Sequence, residues 1–317
     1  MRGALLGMVT VLALSSLVAC AKIGQLKAMK SFKDANALYQ QQEYKRAAAL
    51  YEDAVANDPT MGQAWFFLAN SYDNLYKPSR KGEAENDAYL TKAVAGYQKA
   101  ADLLPTTDPT DAKLKNLALQ YLVASYGPDK LNDPNKALPV IKQMIQLNPA
   151  DPTNYFKLSQ IYEDAGQYDL AEQTLLQAKQ VKPDDSSVYL QLAGFYNRQG
   201  EFDKTIEALQ ERIQKEPNNP EAYYTVATYY WDKAYRDASL KNEQKLDYVN
   251  KGIDAIDQAL KIRPDYMEAL VYKNLLLRLE ANLIKDPKKQ QDLIKQADKL
   301  RDQANELRKK KAAGVGE

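Results

Sequence analysis

Two neighbouring segments of this chain carry the same residue pattern, 34 positions apart. The first runs from Asn154 as NYFKLSQIYEDAGQYDLAEQTLLQAKQVKP, and the second runs from Val188 as VYLQLAGFYNRQGEFDKTIEALQERIQKEP. In both halves of each segment, apolar residues recur at intervals of three and four, which is typical of amphipathic helices. A glycine separates the halves and a proline ends each segment. Each segment is therefore predicted to form two helices joined by a turn.

Some of the shared positions hold large residues and others hold small ones. In the first segment they are Tyr155, Leu158, Ser159, Tyr162, Ala171, Leu175, Ala178 and Pro183, and in the second they include Tyr189, Leu192, Ala193, Tyr196, Leu209 and Pro217. This pattern resembles the tetratricopeptide repeat, a helix–turn–helix unit of the same length. The resemblance implies an all-α fold, a right-handed superhelical solenoid in which stacked helix pairs share one continuous core. With insertions, the pattern extends from residue 28 to about 310 and predicts about seven repeats.

The start of the chain has a different character. Arg2 is followed by about a dozen apolar residues, as in an export signal. The segment from Leu17 to Cys20 resembles the lipobox of bacterial lipoproteins, whose cysteine receives a diacylglyceryl group before the signal peptidase cuts ahead of it. The resemblance implies lipidation of Cys20, the one cysteine of the chain, and Ala21 permits sorting to an outer membrane. The alternative is an unmodified cysteine in an ordinary signal or anchor.

These patterns divide the chain into six parts. They are a signal peptide at 1–19, a lipidated tether at 20–27, repeats one and two at 28–105, repeats three to six at 106–264, a degenerate last repeat with capping helices at 265–310, and a flexible tail at 311–317. We expect the mature protein to be lipid-anchored in a bacterial cell envelope, to face the periplasm, and to reside in the outer membrane if the cell has one.

Three features depart from the repeat. Charged insertions fall between the two helices of repeats two, six and seven, where they form either solvated protrusions or contacts to a partner. The segment TTDPTD after Pro105 is either a hinge or an elongated helix start. Arg212 occupies a position that the repeat reserves for a small residue, which argues against close packing there.

The composition excludes several functions. The chain has no histidine, so an imidazole cannot act as a base or a metal ligand. With Cys20 assigned to the lipid, no thiolate remains, and we expect neither metal nor cofactor. Of the 43 basic residues one is Arg2 in the signal peptide, so 42 basic residues balance 42 acidic ones in the mature chain. We therefore expect no nucleic-acid binding, and we interpret the basic cluster from Arg308 to Lys311 as a solvated helix end.

The resemblance also implies a binding groove. Tetratricopeptide repeats usually bind peptides with positions 2, 5, 9, 12 and 13 of their first helices. At positions 5 and 9 an apolar row lies beside amides, which suits an extended segment or one face of a helix. The candidate groove residues are Phe32, Asn36, Phe66, Asn70, Phe156, Gln160, Leu190, Tyr224 and Thr228. Capture of a C-terminal carboxylate is not expected, because that clamp requires lysine at position 5.

Two functions remain. The favoured one is a noncatalytic scaffold that binds a segment of another envelope or secretion protein near the membrane. The alternative is an envelope hydrolase that uses carboxylates, since Asp and Glu are the strong acid and base candidates left. No acidic pair stands out from the solvated helix faces, and a solenoid offers a groove instead of a closed pocket.

Overall fold

The computed structural model describes residues 22–314, and this part of the chain is all-helical. The first helix, α1, covers residues 22–40, and a 3-10 turn at Pro78–Arg80 precedes α4. The other helices of the described part are α2 (Tyr44–Asn57), α3 (Gly62–Leu75), α4 (Ala84–Leu103), α5 (Pro109–Ser125), α6 (Pro134–Leu147), α7 (Pro152–Asp164), α8 (Tyr168–Val181), α9 (Ser186–Arg198), α10 (Phe202–Lys215), α11 (Pro220–Arg236), α12 (Asn242–Ile262), α13 (Met267–Leu283) and α14 (Pro287–Ala312).

The helices of residues 22–314 form seven consecutive helix–turn–helix pairs, from α1 with α2 to α13 with α14. In the turns of the fourth and fifth pairs, Gly166 and Gly200 have φ angles of 71° and 77°, a left-handed backbone that glycine adopts without steric cost. Both lie at the same position of the repeat, 34 residues apart. The predicted all-α fold of stacked helix pairs is confirmed.

Short polar residues set the starts of several helices. The side chain of Asp108 accepts hydrogen bonds from the backbone N–H groups of Thr110 and Asp111, and Pro109 fills the first helical position. Such a cap pairs N–H groups that the first turn leaves free, and the proline has no N–H to leave unpaired. Of the two alternatives for TTDPTD, the structure shows an elongated helix start, because α5 begins at Pro109.

The inserted residues lengthen helices. Helices α4, α12 and α14 contain 20, 21 and 26 residues, whereas α2, α6, α8 and α10 contain 14 each. In the second pair, the buried side chain of Asn86 accepts from the N–H of Lys77 and donates to its C=O, at 2.8 and 3.1 Å. This double hydrogen bond ties the inserted turn to the start of α4.

The described residues up to Pro149 and those from Ala150 on form two compact units, called unit 1 and unit 2 below. The division follows the third helix pair, whereas the sequence placed a boundary after residue 105. In unit 1, α3 and α4 approach closely: a Cβ added to Gly96 would lie 2.8 Å from the Cβ of Ala69. Small residues are required at this contact, as the repeat pattern predicts.

Arg212 is buried, with 4% of its surface exposed. Its guanidinium lies 3.2 Å from the carboxylate of Glu216 and 3.5 Å from that of Glu221, and it donates to the hydroxyl of Thr225. The large residue at a small-residue position is therefore accommodated within unit 2 by polar partners on α11 and at the end of α10. The expectation that Arg212 prevents close packing is therefore wrong, because the arginine is buried and hydrogen-bonded.

We expect Arg212→Met to change the free energy of unfolding by less than about 1.5 kcal/mol, because methionine conserves the volume. Glu216 and Glu221 are 28% and 60% exposed in their side chains, so both carboxylates can return to water. Arg212→Ala should cost more, about 2–5 kcal/mol, since it leaves a cavity. Urea denaturation of both variants checks this. An equal loss in the two would mean that the ion pairs, and not the packing, stabilise this site.

The two ends of the chain differ from the repeats. The predicted lipobox and Cys20 lie outside the described residues, and residues 22–27, assigned to a tether, are helical and continuous with α1. At the other end, α14 buries Ala297 and Ala304, while Arg301 is exposed and pairs with Asp298. No helix between residues 22 and 314 has the length and apolar character needed to cross a membrane.

Candidate functional site

Side-chain contacts join α7 to α9 and α11 to α13, the first helices of the four pairs in unit 2. Glu163 of α7 pairs with Arg198 of α9, and the same guanidinium acts electrostatically on Tyr229 of α11. Trp231 of α11 in turn contacts Tyr272 of α13, with ring centroids 5.8 Å apart. We call the surface formed by these helices the first-helix face of unit 2.

The ion pair in this face has a fixed geometry. Arg198 donates from Nε and Nη2 to the two carboxylate oxygens of Glu163, at 2.7 and 2.9 Å. These hydrogen bonds hold the pKa of Arg198 above its ordinary value. The Glu163 side chain is 10% exposed, whereas that of Arg198 is 51% exposed. Gly194 makes room for the guanidinium of Arg198, because a Cβ at position 194 would lie 3.3 Å from its Nη1.

Aromatic rings occupy the other end of the face, on α11 and α13. The rings of Trp231 and Tyr235 are stacked, with centroids 4.8 Å apart and planes at 11°. Tyr272 packs edge-on against Trp231 and against Tyr224, and Tyr224 also contacts Tyr266. Burial, with a smaller effect of Tyr272, raises the pKa of Tyr224 to about 12. Its hydroxyl is therefore neutral at physiological pH.

This aromatic cluster is accessible although its members contact one another. Tyr235 is 61% exposed, and Trp231, Tyr224 and Tyr272 are partly buried. Trp and Tyr offer large rigid contact areas at low entropic cost and dominate many binding sites. The cluster can hold an apolar or aromatic side chain of a ligand.

Three predicted groove residues of unit 2, Phe156, Leu190 and Tyr224, lie partly buried on these first helices. The polar residues at position 9 are engaged within their own helices. Gln160 donates its side-chain N–H to Asp164 at 2.7 Å, and the hydroxyl of Thr228 donates to a backbone carbonyl one turn earlier, that of Thr225, at 2.7 Å. A ligand at these positions therefore has to compete with local hydrogen bonds.

In unit 1, two predicted groove residues belong to the core. Phe66 is 4% exposed and packs against the rings of Tyr97 and Tyr121. Asn70 is 8% exposed; it accepts a hydrogen bond from Tyr39 and donates one to the hydroxyl of Tyr97 at 3.1 Å. Tyrosines brought into a core need partners for their hydroxyls, and Asn70 supplies them. This corrects the expectation that Phe66 and Asn70 form an accessible stripe.

Phe32 and Asn36, the other two candidates of unit 1, are partly buried on α1. Asn36 accepts a hydrogen bond from the hydroxyl of Tyr51 at 2.6 Å. Both residues line a cavity of about 590 Å³ whose wall also includes Met29 and Met61. In unit 1, then, the accessible part of the predicted groove lies next to α1.

Only positions 5 and 9 of each repeat were used to predict the groove, and several residues of the first-helix face were therefore missed. Glu163 and Trp231 occupy position 12, and Arg198 occupies position 13 of its repeat. These positions belong to the groove of the resembling family, so a comparison of them along the repeats could have found all three. Tyr235 lies in the insertion of the sixth repeat, one of the segments for which contact with a partner was an open alternative.

Comparisons with known proteins agree with the fold. Three family models, each described as a tetratricopeptide repeat, match residues 32–102, 130–194 and 186–228. The C-terminal part of a TPR repeat-containing protein from Cytophaga hutchinsonii superposes with a TM-score of 0.55 at 17% identity, over 85% of this chain and 95% of that one. At this identity the likeness shows the fold alone.

Two further solved structures superpose less well, with lower TM-scores. MamA is 20% identical over 57% of this chain and 92% of its own, with a TM-score of 0.39. A thermophilic TPR protein from Thermus thermophilus is 19% identical over 64% of this chain and 98% of its own, with a TM-score of 0.34. A comparison with curated protein sequences found no significant match.

Proposed function

Because the chain carries tetratricopeptide repeats over residues 32–102 and 130–228, we propose that it is a noncatalytic scaffold tethered to a bacterial envelope membrane. In this proposal the first-helix face of unit 2 binds an extended segment of another envelope or secretion protein, and acyl chains on Cys20 hold the scaffold at the membrane. The observation that carries the binding site is the accessible aromatic cluster around Trp231 and Tyr235.

The chemistry of the face supports a peptide ligand. Leu190 and Phe156 offer apolar area, and the stacked rings of Trp231 and Tyr235 offer a flat aromatic surface. Arg198 can donate to a backbone carbonyl or a carboxylate of the ligand, since half of its side chain is exposed. A segment with an apolar or aromatic residue next to an acceptor group matches these features.

Site-specific photo-crosslinking tests the position of this site. A photoreactive phenylalanine derivative at Leu190 should form a covalent adduct with the partner in intact cells. The matched control is Gln210, which is exposed on α10, a second helix of the same unit. We expect adducts from position 190 and none from position 210. Adducts at Lys241, at the start of α12, without any at 190 would move the site to the turn between α11 and α12.

The tether makes a separate prediction. We expect Cys20→Ala to abolish acylation, because the sulfur is the attachment point, and to release the protein from the membrane fraction. Stable anchoring takes about two acyl chains or an equivalent second signal, and the substitution removes all of them. Metabolic labelling with a fatty acid, followed by fractionation, measures both effects. Equal label on both proteins would end the lipoprotein assignment and leave the binding face untouched.

A further inference from the structure

The first turns of α1 carry large apolar side chains on the solvent side. Ile23, Leu26 and Met29 are 55%, 68% and 62% exposed. Their spacing of three residues puts them on one face of the helix. The opposite side packs against α2: Ala28 is fully buried, and a Cβ on Gly24 would lie 2.9 Å from the carbonyl oxygen of Asn57. We call the three exposed residues the α1 stripe.

Basic residues surround the α1 stripe. Lys22, Lys27, Lys30 and Lys33 are all exposed, and the sequence has no acidic residue before Asp34. The first three turns of α1 therefore combine an apolar stripe with four positive charges. Apolar residues together with lysines are typical of helices that lie in the interface of a membrane containing anionic lipids.

The place of this helix in the chain favours the same ligand. Lys22 follows Cys20 by two residues, so acyl chains on Cys20 would bring the start of α1 to the membrane. From Ile23 to Met29 the helix rises about 9 Å at 1.5 Å per residue, so the whole stripe stays near the attachment point. This part of the argument rests on the proposed tether.

We propose that the start of α1 binds the surface of an anionic phospholipid membrane. Ile23, Leu26 and Met29 enter the boundary between headgroups and acyl chains, and the four lysines contact the phosphates. A second copy of the chain is a poor occupant, because it would bring a further four positive charges against the same surface. With a membrane, the same charges are favourable, roughly fivefold in affinity for each lysine near an anionic surface.

Vesicle binding by the chain without acyl groups tests the proposal. The protein is the chain from residue 20 on with Cys20→Ser, and the probes are vesicles of phosphatidylcholine alone and with one third phosphatidylglycerol. We expect sedimentation with the anionic vesicles and at least tenfold weaker binding to phosphatidylcholine. Replacing Ile23, Leu26 and Met29 together by glutamine should weaken binding to the anionic vesicles at least tenfold. Binding should also fall as salt is raised.

The matched control replaces Leu170, Leu176 and Val181 of α8 by glutamine, since these apolar residues are also exposed, at 42%, 39% and 36%. This control should bind as the parent does, and circular dichroism should be unchanged in both variants. The proposal is overturned if the parent binds neither vesicle, if the control loses binding equally, or if the stripe variant changes self-association instead. Fatty-acid labelling of Cys20 is independent of these results, so the tether and the α1 stripe can fail separately.

Discussion

Replacing Tyr97 by alanine is expected to destabilise unit 1 by about 3–5 kcal/mol, the usual cost of truncating a buried aromatic residue. Tyr97 has no exposed surface. Its ring packs on Phe66 and Tyr121, and its hydroxyl accepts a hydrogen bond from Asn70. Burial, more than any neighbouring charge, raises its pKa. The substitution removes the packing and leaves the amide of Asn70 without its acceptor.

Two variants calibrate this effect. Tyr97→Phe keeps the ring and removes the hydroxyl, so we expect a loss of about 1–2 kcal/mol. Trp65→Ala should cost less than Tyr97→Ala, because Trp65 is partly buried and its indole N–H donates to the carbonyl of Pro59 near the surface. Urea denaturation monitored by circular dichroism gives the three values.

Hydrogen exchange mapped by peptides locates the damage. In a repeat array each helix pair contacts its neighbours, so a defect in the second pair should spread only locally. Peptides before Pro149 should lose protection in Tyr97→Ala, and those after Ala150 should keep most of theirs. A uniform loss out to residue 310 would contradict the division into two compact units.

Replacing Trp231 and Tyr235 by serine is expected to weaken partner binding on the order of 100-fold or more, because buried aromatic anchors contribute about 2 kcal/mol each. Their stacked rings form the most accessible aromatic surface of the first-helix face. The single variant Tyr235→Ser should lose part of this affinity with almost no loss of stability, since Tyr235 is 61% exposed. Trp231→Ser also costs some packing against Tyr272.

The control for this prediction is Tyr168→Ser. Tyr168 is a tyrosine of similar exposure, 49%, on the second helix α8 of the same unit. The Tyr168→Ser substitution should leave both the affinity for the partner and the melting temperature unchanged. Affinity is measured by titration with the segment identified through crosslinking at Leu190. An unchanged affinity of the double variant, with its fold intact, would exclude the aromatic cluster from the site.

The repeat pattern predicted the helix pairs, but a repeat position alone does not fix the exposure of a side chain. Phe156 and Leu190 lie partly buried on the first helices α7 and α9. Phe66 has the same position and is buried. Tyr97 and Tyr121 cover it, and neither residue is near it in the sequence. Exposure at a given repeat position thus depends on the size of the residues that the partner helix and the following pair place against it.

A 34-residue period with turn residues and closing prolines is enough to specify the all-α fold of this chain, because its apolar faces can be buried only by stacking helix pairs. Which of these residues remain accessible depends on how the helices pack against one another. Glu163 and Arg198 are 35 residues apart and meet only when α7 and α9 are side by side. Trp231 and Tyr235 stack within one helix, four residues apart on α11, whereas the contact of Trp231 with Tyr272 depends on α13 lying beside α11. Side-chain accessibility is a property of neighbours in space, and a local pattern specifies only neighbours along the chain.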